Sequence, residues 1–411
     1  MKVVHLSTTN GKSGAGIAAF RIHRALQQNG VDSRMLVRHN YQSATAPNEV
    51  VELSNRLGDF GKKLLPHIDK LPNRLYPKKD PALFSPAWWE NSKLIDQINK
   101  LSPDLIHIHW VNFGFLKIEQ LRKIQVPIVW TMHDNWLFTG GCHIMWNCDR
   151  YLDQCGACPR LKSQRPNDLS RSVWLRKRNT FDQLDDFHLV APSHWLKECA
   201  SKSSLLHNFS TSVVPNPIDC SMFRPLAKQL AKKKYQLDPE KRVILFGALD
   251  ALGDQNKGYD LLIQALQGID LSNAQLLIFG SDTPMRLPVL DCPIEFVGQL
   301  NEEKELVNVY SAADLMIVPS RQEAFGQTAA EAMACETPVV AFRHSGLRDI
   351  VDHLENGYLA EPFEVGDLGK GISYLLKADP KMGTLARQKV KSNFDPDLVA
   401  KKYLQLYRQI Q

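Results

Sequence analysis

Two successive rounds of short apolar strands and amphipathic helices constrain this chain more than any other feature. The first round runs through KVVHLS (2–7), GIAAFRIHRAL, SRMLV (33–37), DLIHIH (104–109), PIVWTMH (127–133) and FHLVAPS (187–193). The second restarts at RVILFGA (242–248) and continues through GYDLLIQALQGI, AQLLIFG, IEFVG, ELVNVYSAA, DLMIVPS and PVVAF. Strands that are apolar along their whole length, alternating with helices, imply parallel sheets buried on both faces. At 411 residues the chain is long for one such domain, so two α/β domains are expected. The prolines of VVPNPIDCSMF (213–223) suit a linker turn, which sets a first domain at 1–215 and a second at 216–392. The last stretch, 393–411, contains PDLVAKKYLQLYRQI, an amphipathic helix expected to pack back on the first domain.

A hydrophobic content of 44% with 23% charged residues is that of a globular protein and excludes a disordered chain. No apolar run approaches the roughly 20 residues that span a bilayer. MKVVHLSTTNGKSG reads as a strand entering a glycine turn rather than a signal peptide, so a cytoplasmic location is expected. The net charge of +6 hides an asymmetry: residues 1–215 carry 28 Lys and Arg against 18 Asp and Glu, and the remainder 22 against 26. A basic first half points to an anionic partner such as a membrane surface, a phosphorylated substrate or a nucleic acid; ordinary surface charge explains it equally well.

In TTNGKSGAGIAAF (8–20), GKS invites comparison with a phosphate-binding P-loop, but that motif needs Gly at position 6, which is Leu6. Gly14, Gly16 and Ala19 do fit G-x-G-x-x-A after a strand and at a helix start, where backbone amides suit a phosphate. A tight structural turn explains the same glycines. HIHW (107–110) and WTMHDNW (130–136) both close apolar strands, which brings His109, Trp110, His133, Asp134 and Trp136 to one carboxyl edge. His133 and Asp134 suit sugar hydroxyls or proton transfer, and the indoles suit sugar faces. For a single histidine, a hydrogen-bonded strand end is the commoner fate.

In the second domain, Lys257 precedes a helix after a strand and a polar loop, where a cation can neutralise a diphosphate. PSRQEAFGQTAAEAMACETPVVAF (319–342) then carries Glu323 at a strand end and Glu331 about two turns into an Ala-rich helix. Between them, the Phe325–Gly326 pair at the helix start leaves backbone amides facing a ligand. Carboxylates are not needed there to make a fold, and in open α/β sheets that edge is where ligands bind.

E-A-F-G-x(4)-E (323–331) followed by AMACETPVVA resembles the E-x7-E signature of retaining GT-B glycosyltransferases of family 4. VVPNPID resembles that family's inter-domain linker, HIH and TMHD its first-domain strand ends, and NKGYDLL its phosphate-binding lysine region. The resemblance covers nearly the whole chain in order. It implies a GT-B fold, two Rossmann-like domains facing a central inter-domain cleft. It also implies transfer of a hexose, with retention, from a nucleotide-diphosphate sugar to a saccharide or lipid-linked saccharide acceptor. By the same resemblance Glu323 with Ala324 contacts the donor sugar and Glu331 the ribose. Lys257 and the Phe325–Gly326 amides take the diphosphate, Gly14 and Gly16 underlie the phosphates, and His133 lies beside the transferred sugar. No cofactor is required for that reaction, and the family context is surface polysaccharide or glycoconjugate synthesis. Gly247–Ala248 departs from a family "GR", so one phosphate cation is missing or comes from Arg321, Arg343 or Arg348.

GGCHIMWNCDRYLDQCGACPRL (140–161) holds Cys142, Cys148, Cys155 and Cys158, a Cys-rich insertion whose C-x5-C-x6-C-x2-C spacing suits a structural zinc, with His143 able to replace one thiolate, or else free thiols or occasional disulfides. LSNRLGDFGKKLLPHIDK (53–70) carries an apolar stripe, Leu53, Leu57, Phe60, Leu64 and Ile68, beside Arg56, Lys62, Lys63 and Lys70. It reads as a helix packed on the domain or as one lying on a membrane surface, which would make the enzyme peripheral on the inner face of the cytoplasmic membrane. Two rivals remain: an NADP-dependent oxidoreductase using Gly14, Gly16, Ala19 and Arg38, and a nucleic-acid-binding protein using the cysteine cluster. Dispersed basic residues and an acidic second half argue against nucleic acid.

Overall fold

In the computed structural model, which describes residues 1–41, 49–53 and 58–410, the strand signals become two parallel sheets. The chain divides into two compact units, Met1–Pro215 with Val399–Gln411, and Asn216–Leu398.

The first unit is built on seven strands, β1 (Lys2–Thr9), β2 (Asp32–His39), β3 (Val50–Glu52), β4 (Leu105–Ile108), β5 (Ile128–Thr131), β6 (Phe187–Ala191) and β7 (Thr211–Val213). Their order is β3-β2-β1-β4-β5-β6-β7, with each neighbouring pair parallel. Strand order reverses between β1 and β4, and at their carboxyl ends such a sheet opens a ligand crevice. The helix Gly14–Gln28 follows β1 and starts on Ser13, whose side chain accepts from the amide of Gly16.

The second unit holds β8 (Arg242–Gly247), β9 (Ala274–Phe279), β10 (Ile294–Phe296), β11 (Leu315–Val318), β12 (Val339–Phe342) and β13 (Gly357–Ala360), in the order β10-β9-β8-β11-β12-β13. Side chains of RVILFG alternate between two cores. Val243 and Leu245 join Met316, Val318 and Ala341 on one face, while Ile244 and Phe246 join Ile278, Leu315 and Val340 on the other. That two-faced burial is why the strands read as continuous apolar runs. Here the order reverses between β8 and β11.

The helix Pro396–Gln409 returns most of its length to the first unit. Its buried positions Val399, Ala400, Tyr403, Leu406 and Tyr407 recur at helical spacing and join Val3, Ile22, Leu105 and Val129 in one core. The hydroxyl of Tyr403 lies 2.9 Å from Thr131 Oγ1, and that of Tyr407 lies 2.7 Å from His107 Nδ1. In the helix Gly58–Asp69, Leu65 is buried, and Asp69 accepts from the amides of Trp88 and Trp89. Of the apolar stripe and the basic residues expected there, Leu57 and Arg56 lie outside the described residues. Among the described residues no helix is long and apolar enough to cross a membrane.

Candidate functional site

The second unit's reversal point is flanked by two of the residues singled out from sequence. Lys257 ends the loop after β8, and Glu323 lies in the loop after β11. Across 66 residues of sequence their side chains meet, Nζ to Oε1 at 2.8 Å. Burial alone would lower the Lys257 ammonium; the Glu323 carboxylate and its hydrogen bond, with Asp254, more than offset this and hold it above the usual lysine value. Asp254 caps the short turn Gln255–Lys257 by accepting from the Asn256 amide. Gly258 follows at φ +72, and a Cβ there would lie 2.1 Å from the Pro319 carbonyl, so only glycine lets the two loops close on each other.

Beside this pair begins the helix Gln327–Ala334, whose first turn has no side-chain cap. Its N-cap, Gly326, sits at φ +110, with Leu347 and Ile350 filling the space that a Cβ would need. The first-turn amides and the dipole therefore remain available to an anion. Phe325 is buried against Phe394, while the backbone carries Ala324 past Gly346. Glu331, on the same helix, is 3% exposed and hydrogen-bonds Tyr310 Oη at 2.9 Å and Gln327 Nε2 at 3.3 Å. Arg321, one candidate for the missing phosphate cation, is held by both carboxylate oxygens of Asp260.

At the first unit's edge the histidines form a file. His5 Nδ1 meets His109 Nε2 at 2.9 Å, and His109 Nδ1 meets His133 Nε2 at 3.0 Å. One N–H per neutral ring runs this file in either direction. The direction decides whether Nδ1 of His133 is a bare acceptor or a donor. Burial, against the pull of Asp134, lowers His133 to about 4, and burial lowers His5 and His109 well below the usual value. Asp134 accepts from Trp110 Nε1 at 2.9 Å and from the Trp136 amide at 2.8 Å, and it lies 2.6 Å from His143 Nδ1. Burial would raise this carboxyl, but His143 and these donors hold it below the usual range.

Two sequence candidates change place. Trp136 is 2% exposed, its indole N–H donates to the Ser85 carbonyl, and Lys177 lies over its ring at 3.6 Å, so it offers no face to a sugar. His109 is likewise buried and reaches the edge only through His133. His5 and His107 were not singled out from sequence. They sit opposite each other in the β1–β4 register, and His107 and His109 share one strand face, which the i, i+2 spacing of HIH does signal. Among the described residues, His5, His107 and His109 are the one set of metal-ligand type whose atoms lie within 4.8 Å of one another. Both ring nitrogens of His107 are already engaged, by Thr131 and Tyr407. Cys142, Cys148, Cys155 and Cys158 carry free thiols and line one cavity of about 10 Å³, without reaching that closer spacing.

The glycine turn divides in the same way. A Cβ on Gly16 would lie 2.4 Å from Thr9 Oγ1 and 2.9 Å from the Gly11 carbonyl, whereas one on Gly14 meets nothing within 4 Å. Gly16→Ala is therefore expected to cost about 1–3 kcal/mol in urea unfolding. Gly14→Ala should leave stability unchanged or slightly raised, because it begins a helix. A large loss of stability in Gly14→Ala would contradict the open space seen there.

Comparisons with known proteins point one way. Residues 12–222 match the family model Glycosyltransferase Family 4, and residues 227–392 match Glycosyl transferases group 1. The D-inositol 3-phosphate glycosyltransferase of Mycolicibacterium smegmatis is 32% identical over 190 residues, 43% of this chain and 42% of that protein. The chain thus aligns with less than half the length of such curated relatives. The sucrose-phosphate synthase of Thermosynechococcus elongatus shares the fold over 100% of this chain and 99% of its own, with TM-score 0.68 and 21% identity. Anabaena Alr3699/HepE, solved in complex with UDP and glucose, does so over 99% of each chain, with TM-score 0.64 and 17% identity. With two parallel-sheet Rossmann-like units and a family model matched across half its length, this chain belongs to glycosyltransferase family 4.

Proposed function

We propose that the protein transfers a hexose, with retention at the anomeric carbon, from a nucleoside-diphosphate sugar to a saccharide or lipid-linked saccharide. The observation that carries this reading is the Lys257–Glu323 pair at the second sheet's reversal point, beside an uncapped helix N-terminus. Lys257 and the first-turn amides are placed to meet the charge that develops on the departing diphosphate, where fixed donors stabilise a transition state most. Glu323 takes donor-sugar hydroxyls, and Glu331, with Gln327 and Tyr310 around it, takes the ribose. The bond from the anomeric carbon to phosphate oxygen breaks as the bond to the acceptor oxygen forms. The acceptor's proton passes to the leaving phosphate on the same face.

His133, held neutral, and Asp134 at the first unit's edge supply polar contacts for the transferred sugar and the acceptor. The complex of Anabaena HepE with UDP and glucose supports a uridine nucleotide as the first donor class to test. The proposed setting is surface polysaccharide or glycoconjugate synthesis at the inner membrane face, a reading that the family membership and the basic first half support. Arg38, which the oxidoreductase alternative needs for a 2′-phosphate, is instead 5% exposed and donates to the Phe113 carbonyl.

The test is slow donor hydrolysis without acceptor. One among UDP-, GDP- and ADP-hexoses should release its nucleoside diphosphate in the presence of the protein, and the α-anomer of the sugar should appear first. Binding of NADPH with no turnover of any sugar nucleotide would overturn the reading.

A further inference from the structure

The cysteine-rich loop is not used by the transfer reaction, yet its four thiols line one cavity, no three of them within 4.8 Å of one another. Cys142, Cys148, Cys155 and Cys158 come from 17 successive positions of the sequence and line the same small cavity. Its volume of about 10 Å³ is at the lower limit for one water, and space of that kind among sulfurs suits a single ion. We propose that these four cysteines form a tetrahedral tetrathiolate site for one thiophilic divalent cation of the zinc class, which fixes the loop that carries His143.

Three further observations support the site. First, a backbone amide is aimed at one of the sulfurs. Gly140 N–H donates to Cys155 Sγ at 3.2 Å. An amide so placed stabilises negative charge on the sulfur. Second, the charged groups lining the cavity are Arg150 and Arg160, with no carboxylate among the lining residues. The fully buried Lys177 lies behind, its ammonium donating to the Trp136 and Thr139 carbonyls. Four neutral thiols bring no charge to this basic wall, whereas a divalent ion with four thiolates would carry two negative charges beside Arg150. Arg160 also pairs with Asp80 at 2.9 Å, which ties the cavity wall to the preceding segment.

Third, Cys155, Gly156 and Ala157 take successive φ values of 52, 100 and 43°. Such conformations at Cys and Ala are strained and persist only where the surroundings enforce them. The turn they make brings the C-x-x-C pair to one cavity wall, and a Cβ on Gly156 would lie 2.2 Å from the Pro166 carbonyl.

Binding would exchange four thiol protons for the ion, so the loop closes on it as four protons leave. Its structural consequence lies one residue away. His143 bonds Asp134 at 2.6 Å and Ser85 at 2.8 Å, so a fixed Cys142 holds the carboxylate beside His133 in place.

Metal analysis of the full chain, purified without an affinity metal or chelator, tests this. About one equivalent of zinc is expected, with four of the eight thiols blocked to a thiol reagent until the metal is stripped. Cobalt(II) added to stripped protein should give the intense sulfur-to-metal charge-transfer band of tetrathiolate coordination. Cys148→Ser should lower the bound metal to about a tenth or less, while Cys292→Ser in the second unit keeps it. Protein that holds no zinc, binds no cobalt and exposes all its thiols would overturn the proposal. So would an intact mass reduced by the four hydrogens that two disulfides remove. Neither readout depends on glycosyl transfer, so failure here and failure of the transferase reading are distinguishable.

Discussion

Glu323→Ala is expected to slow glycosyl transfer by roughly 10²–10³-fold while leaving the affinity for nucleoside diphosphate within a few fold. The side chains of Glu323 and Lys257 are only 18% and 24% exposed, so removing the carboxylate leaves a largely buried ammonium unpaired, and a lower melting temperature should accompany the loss of turnover. Removing the carboxylate takes away the acceptor for sugar hydroxyls but leaves the ammonium for phosphate. Lys257→Ala should behave differently, lowering both diphosphate affinity and turnover, because it removes the cation itself. Steady-state kinetics with product inhibition by the nucleoside diphosphate separates the two. Equal, wild-type turnover in both variants would end the assignment of this pair to the reaction.

Acidification should unfold the first unit well before the ordinary acid range. His5, His23, His107, His109 and His133 all lie there, and burial holds each below the usual histidine value, His23 to about 3 and His133 to about 4. In the unfolded chain each binds its proton near pH 6.5, so between about pH 6.5 and 4 the unfolded state holds more protons than the folded one. Stability therefore falls as pH drops through that window and levels off only below the folded values. His23, fully buried with Ser33 on its Nδ1, alone corresponds to a loss on the order of 4–5 kcal/mol at the acid end. Urea midpoints measured from pH 7.5 to 4.5 should drop steeply, and His23→Gln should flatten the profile. A midpoint independent of pH across this range would show that these rings are not kept neutral by the fold.

Positions set by their own strand end were legible in the sequence. Lys257, Glu323 and Gly326 each sit where a β-strand hands over to a helix, and the two apolar rounds locate those strand ends without long-range information. The misjudged residues depend on partners far along the chain. Trp136 looks like a sugar platform until Lys177, from the helix Leu169–Phe181, is placed on its ring. His5 is anonymous within KVVHLS, and only the pairing of β1 with β4, a hundred residues on, turns it into the inner end of the file leading to His133. Strands β3 and β7, three residues each, are too short to show a period, and β7 contributes a Ser and a Thr to a sheet edge. Glu331 reads in sequence as a helix glutamate of no fixed orientation. Its burial against Tyr310 comes from the neighbouring helix Glu303–Ala312.

The most direct test of the central claim is calorimetric titration of UDP, GDP, ADP and NADPH into the wild-type protein and Glu331→Ala, with melting temperatures recorded for both. One nucleoside diphosphate should bind the wild type and bind at least about tenfold more weakly to a folded Glu331→Ala, the loss expected for two hydroxyl contacts to a carboxylate. Failure of every nucleoside diphosphate to bind, or equal affinity in the two proteins, would contradict a nucleotide-sugar site at the carboxyl edge of the second sheet.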